Sequence, residues 1–159
     1  MPALPLLLLD VDGVLNPYAA AACPDGSQEH ALFAGEEPVR VCPAHGGWLR
    51  ELATRFELTW ATAWGAEANR LLAPLLRLPA LPLIEFPPVP FEPRDKLPAV
   101  AAFAADRPLA WIDDALAPEV REWAAERHVS TLLIDVDPAI GLTRRAVDQC
   151  LGWAGGRPG

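Results

Sequence analysis

Lysine is nearly absent from this chain. Of 13 basic residues twelve are arginine, and Lys96 stands alone. A background so biased toward arginine would supply it wherever either cation served, so a compact ammonium at position 96 reads as a chemical requirement. Basic charge is scarce altogether. The formal net charge is −8 and Arg144-Arg145 is the only basic pair, which excludes a general nucleic-acid binder built on a basic face. Cysteine is sparse and odd in number, at Cys23, Cys42 and Cys150. That usage is expected of a reduced, cytoplasmic protein. A zinc site from Cys23, Cys42 and His45 has irregular spacing; two small buried residues and a loop histidine is the plainer reading. No apolar run reaches membrane length, and the Leu6–Leu9 run has no basic residue before it. Neither a span nor a signal peptide is therefore expected. There is no G-x-G-x-x-G, no G-K-[ST] and no internal repeat. Proline is not scarce, but Pro 18 and Gly 11 in 159 residues stay below the roughly 25–30 % that marks disorder.

What is present is alternation. Apolar runs of strand length occupy 3–10, 56–64, 80–86, 108–114 and 129–137. They are apolar on both alternating faces, as strands of a covered parallel sheet are. Helical patterns fall at 44–55, 66–77, 96–105, 118–127 and 144–153. Asp95 and Thr143 read as N-caps, and Pro98 and Pro118 sit in first turns. The order predicts a single doubly wound α/β domain over 1–159 with a five-stranded parallel sheet. Residues 16–41 fit no period and read as a flap insertion. Residues 87–94 read as a proline-stiffened loop.

In open α/β sheets ligands bind beyond the carboxyl ends of the strands. The residues there are Asp10 and Asp12, then Thr62, then Asp113 and Asp114, then Asp135 and Asp137. If the chain stays extended, Asp10 and Asp12 share a side, and they face Asp113 and Asp114 if the first and fourth runs are neighbouring strands. Gly13 then permits a sharp turn. Two carboxylates about 4 Å apart repel by roughly 4 kcal/mol at an effective dielectric near 20. Such a cluster calls for a cation, a shared proton or both. An oxygen-only ligand set selects a hard ion, Mg²⁺ first.

The segment Asp10-Val11-Asp12-Gly13-Val14-Leu15, the strand end "LTWAT" with Thr62, Lys96 opening a helix, and "WIDD" with Asp113 and Asp114 together resemble the haloacid dehalogenase-like (HAD) hydrolase superfamily. The resemblance implies a sheet of order 5-4-1-2-3, counting the runs along the chain. It implies Asp10 as a nucleophile forming an aspartyl-phosphate, and Asp12 as general acid–base and metal ligand through its carbonyl. It implies Thr62 and Lys96 as phosphoryl-binding residues, and Asp10, Asp12, Asp113 and Asp114 around Mg²⁺. The second acid at position 12 points to a phosphatase rather than a dehalogenase. The short gaps between motifs leave no room for a large cap.

The expected partner is a phosphorylated substrate, a small molecule ahead of nucleic acid, with no membrane and with a homo-oligomer left open. A nucleic-acid end phosphatase is one alternative, and a non-catalytic binding protein on the same scaffold another. A phosphorylation-receiver module would need its acidic pair on the first strand and its acceptor on the third, which is not the order here. Asn16, Tyr18, Trp64, Glu67 and Asn69 lie near the expected site without a defined role.

Overall fold

The computed structural model describes residues 3–156. Four strands form a parallel sheet: β1 (Leu6–Leu9), β4 (Glu57–Trp60), β5 (Leu109–Asp113) and β6 (Thr131–Asp135), in the order β4-β1-β5-β6. A separate antiparallel pair, β2 (Gln28–His30) and β3 (Val39–Val41), lies within the 16–41 insertion. Four α-helices follow the chain as α1 (Pro43–Leu52), α2 (Leu97–Ala104), α3 (Pro118–Glu126) and α4 (Arg144–Gly155).

β1 is central because all four of its side chains are apolar. Leu7 and Leu9 pack with Leu49 and Leu52 of α1 and Val147 and Cys150 of α4. Leu6 and Leu8 face the other way, toward Val100 and Ala104 of α2 and Val120 of α3. Each leucine is 0 % exposed, and burying one contributes about 1.5–3 kcal/mol relative to leaving it in water. A strand buried on both faces cannot alternate with polar residues, which is why "LLLL" reads as it does.

The expected strand order holds, but the sheet has four strands rather than five. The 80–86 run contributes one parallel bridge, Leu83 with Trp60. Trp60 N–H donates to the Pro82 carbonyl and Ile84 N–H to the Trp60 carbonyl, both at 2.9 Å. The next rung would need an N–H from Pro82 to the Leu58 carbonyl, and proline has none. A second proline shortens the expected 66–77 helix. There the chain forms a π-turn at Ala68–Leu72 closed by Ala73 N–H on the Ala68 carbonyl, and Pro74 cannot continue the ladder. Asn69 ties this turn to the sheet, accepting from Trp60 Nε1 and Leu81 N–H and donating to the Leu81 carbonyl.

Thr143 caps α4 as expected, accepting from Ala146 N–H. Asp95 does not cap α2. It closes a capping box with Glu92 around a 3₁₀ turn at Pro93–Lys96, and α2 begins at Leu97. Cys23, Cys42 and Cys150 are free thiols, and burial pushes Cys150 up to about 12. His45 lies in α1 rather than a loop. Cys23, Cys42 and His45 form no metal-ligating group among the described residues. No described helix is long and apolar enough to cross a membrane.

His45 supports the site from behind. Its ring meets the Leu142 carbonyl at 3.1 Å, and Leu142 N–H donates to the Val14 carbonyl just past β1. Burial holds its imidazole below the ordinary value, against the Leu142 carbonyl that raises it. The unfolded chain therefore takes up this proton first, and stability drops as pH falls below the ordinary histidine value of about 6.5. In urea titrations between pH 7 and 5, wild type should lose stability faster than His45→Gln, by at most about 1.4 kcal/mol per pH unit. Equal slopes would contradict this assignment.

Candidate active site

Asp10 follows β1, Thr62 follows β4 and Asp113 ends β5, so three adjacent strands deliver their terminal residues to one edge. They line one cleft of about 760 Å³ together with Asp12, Lys96 and Asp114. Asp10, Asp113 and Asp114 each offer a carboxylate oxygen within 4.8 Å of the others. Asp10 and Asp113 are buried, and Asp114 is half-buried.

Lys96 is the cation of this cluster. It is buried, and its Nζ donates to Asp113 Oδ2 at 2.8 Å and the Ala61 carbonyl at 3.0 Å, and stands 3.4 Å from Asp10 Oδ2. Burial alone would lower its pKa, but Asp10 and Asp113 outweigh burial and the ammonium is held above its ordinary range. One positive charge cannot balance three carboxylates. The closest contact goes to Asp113, and Asp10 is left well above the usual carboxylate range. Burial is the main cause; Lys96 pulls Asp10 down, while Asp113 and Asp114 push it up. Asp114 is also raised, by burial and then by Asp113.

An Mg²⁺ ion fits this donor set. Three oxygen ligands from Asp10, Asp113 and Asp114 converge, and a divalent cation among them would offset the mutual repulsion of the carboxylates. Two donors already orient the acids. Val11 N–H binds Asp10 Oδ1 and Ala115 N–H binds Asp113 Oδ1, both at 2.8 Å.

The side chain of Asp12 departs from the expected geometry. β1 ends at Leu9, and the N–H groups of Val14, Leu15 and Asn16 all point to the Val11 carbonyl. This tight turn swings Asp12 out of strand register. Its exposed carboxylate accepts Asn16 Nδ2 at 3.0 Å and Trp64 Nε1 at 3.1 Å, and does not join the metal-ligating group. Any part for Asp12 in holding metal falls to its backbone carbonyl. Asp135 at the end of β6 and Asp137 just past it do not line the cleft.

Thr62 Oγ1 accepts the Trp64 N–H at 3.1 Å and faces the cleft. Tyr18 O–H donates to Asp114 Oδ2 at 3.4 Å. The far wall comes from the insertion: Phe33, Val39 and Arg40, with Glu29, Glu36 and Glu37. None of these carries a motif; of the residues that sequence position put near the site, Asn16, Tyr18 and Trp64 line the cleft. Arg40 is engaged elsewhere, its guanidinium donating to the Pro17 and Ala20 carbonyls. Glu67 pairs with Arg70 outside the cleft.

Comparison with protein families decides the lineage. The family described as "HAD domain in Swiss Army Knife RNA repair proteins" matches residues 6–147, well over half of the chain. The chain belongs to this HAD family. Membership agrees with the parallel sheet, the absence of a large cap and a hydrolase of the phosphatase class. Comparisons with curated proteins and with solved structures return no match.

Gly13 is irreplaceable in this HAD site for two reasons. Its φ is +84°, and a Cβ there would fall inside the Asp114 carboxyl group. Gly26 has a similar φ of +83° but open space around it. Gly26→Ala should lose only the left-handed backbone term, about 1–2 kcal/mol. Gly13→Ala should lose clearly more in urea unfolding, and equal losses would show that Asp114 does not crowd the turn.

Proposed function

We propose that this HAD domain is a Mg²⁺-dependent phosphohydrolase that cleaves a phosphomonoester through an aspartyl-phosphate on Asp10. The observation that carries the reading is the convergence of Asp10 with Lys96 and two further carboxylates at the floor of an open cleft. Carboxylates are established covalent nucleophiles in phosphoryl transfer, and that chemistry rests mainly on positioning and charge neutralisation.

Asp10 Oδ2 attacks phosphorus, and the bond from phosphorus to the leaving oxygen breaks. Lys96 and Thr62 bind the phosphoryl oxygens. Asp12 gives a proton to the leaving oxygen, then takes one from the water that attacks the aspartyl-phosphate. Inorganic phosphate departs and Asp10 is restored. Asp10, Asp113, Asp114 and the Asp12 carbonyl would hold Mg²⁺, which when bound supplies the positive charge that keeps Asp10 ionised beside an anionic substrate.

A small phosphomonoester suits the cleft best. Glu29, Glu36 and Glu37 on its rim are exposed, and the guanidinium of its one arginine is held by carbonyls. A polyanionic chain laid across this rim meets like charge. The description of the family as a domain of RNA repair proteins favours a second reading, the terminal phosphate of an RNA end.

A matched pair separates them: a nucleoside monophosphate and a short RNA bearing the same terminal phosphate. The small-molecule reading expects the higher kcat/KM on the mononucleotide, with the gap narrowing as salt screens the rim. The opposite preference would select the RNA end. Asp10→Asn should lower turnover of either by several orders of magnitude with folding intact, and near-wild-type activity would refute the nucleophile. Mg²⁺ at about a hundred times its Kd should add about 2.7 kcal/mol of stability. Asp113→Asn should lose most of that gain, and an unchanged gain would refute the metal assignment.

A further inference from the structure

Asp12 is a motif carboxylate that the sheet does not hold and that stands apart from the acidic cluster. It lies past the end of β1, is exposed, and makes none of the ion pairs that fix Asp10 and Asp113. A general acid must still sit within about 2.6–3.2 Å of the oxygen it protonates. Something other than the sheet must aim it.

Two side chains do so, and each is tied to the insertion. Asn16 Nδ2 donates to Asp12 Oδ1 at 3.0 Å, while Asn16 Oδ1 accepts the Arg40 N–H of β3 at 3.0 Å. Trp64 Nε1 donates to Asp12 Oδ2 at 3.1 Å, while its ring meets Phe33 edge-on, with centroids 4.9 Å apart and planes at 82°. Trp64 also leans on the phosphate side of the site through its N–H bond to Thr62 Oγ1. Both oxygens of Asp12 are thus engaged, one from each direction. An edge-to-face aromatic pair contributes about 0.5–1.5 kcal/mol beyond its buried area, enough to bias the Trp64 ring toward one orientation.

We propose that Trp64 is a positioning residue for Asp12, and that the β2–β3 part of the 16–41 insertion sets the aim of the general acid through Phe33–Trp64 and Arg40–Asn16. This rests on the proposed role of Asp12 as acid–base. The insertion is then more than a wall of the cleft. A substrate that displaces Phe33 alters the hold on Asp12, so recognition at the wall and proton delivery at the phosphate are linked. The simpler alternative is that Trp64 is only an apolar face against which substrate packs. Trp64→Phe separates the two, because it keeps an aromatic ring and removes the donor.

The first measurement needs no turnover. In proton–nitrogen spectra of the full chain, the Trp64 indole signal is assigned by its loss in Trp64→Phe. It should move in Asp12→Ala while the other indole signals hold their places, which also reports an intact fold. An indole signal blind to residue 12 overturns the proposal. The second measurement is kinetic. Trp64→Phe should lower kcat on an alkyl phosphate by on the order of tenfold or more, with KM within about twofold, and lower it far less on an activated aryl phosphate whose leaving group needs little protonation. Phe33→Leu should give the same pattern, more weakly. Equal losses on both substrates, or a raised KM with kcat kept, make Trp64 a plain wall and overturn the proposal. A Phe33→Leu enzyme with wild-type kinetics on both overturns the link to the insertion. Asp10→Asn with activity retained would instead refute the proposed reaction, and the indole result would still decide whether Trp64 holds Asp12.

Discussion

One buried ammonium holds this site together. Lys96 reaches past Phe86 to stand between Asp113 and Asp10, and it also donates to the carbonyl of Ala61 just past β4. Three strand ends are therefore joined through one nitrogen. Removing one partner of such a buried pair leaves an uncompensated charge, which typically destabilises by about 3–5 kcal/mol. Arginine could not replace it, because a planar fork needs more room and a different set of acceptors. The single lysine in a chain of arginines is the compositional trace of that constraint.

The rest of the fold serves to keep those strand ends in place. β1 is buried on both faces, so Asp10 inherits its position from a packed leucine run rather than from a loop. Behind the turn that follows, Val14 is held by Leu142, and Leu142 by His45 of α1. In front of it, the crowding of Gly13 by Asp114 fixes how closely the β1 and β5 loops approach. The charge imbalance that remains, three carboxylates against one ammonium, is the physical reason this edge of the sheet suits a divalent cation and a phosphoryl group.

Much of this was legible in the sequence, for a definite reason. Asp10, Thr62, Lys96 and Asp113 each close a strand or open a helix, so spacing along the chain translates directly into position at the sheet edge. Asp12 was misread in one respect. Two-residue periodicity placed its carboxylate beside that of Asp10, but the strand stops at Leu9 and the turn around the Val11 carbonyl redirects it. The fifth strand and the second helix failed at Pro82 and Pro74, where a missing N–H outweighed apolar pattern. The 16–41 insertion was legible as a flap, but which of its residues form the wall of the cleft was not. β2 and β3 have three residues each, too few for a period to register, and Phe33, Glu36 and Glu37 meet the site only through their folding.

The central claim is that Asp10 forms a covalent bond to phosphorus. Acyl phosphates are reduced by borohydride to the alcohol, whereas free carboxylates are not. The chain should be quenched with borohydride during turnover of a phosphomonoester and Mg²⁺, digested, and mapped by mass spectrometry. The account predicts homoserine at position 10 and nowhere else, dependent on substrate. An unmodified residue 10 during sustained turnover, or homoserine at position 12, 113 or 114 instead, would contradict it.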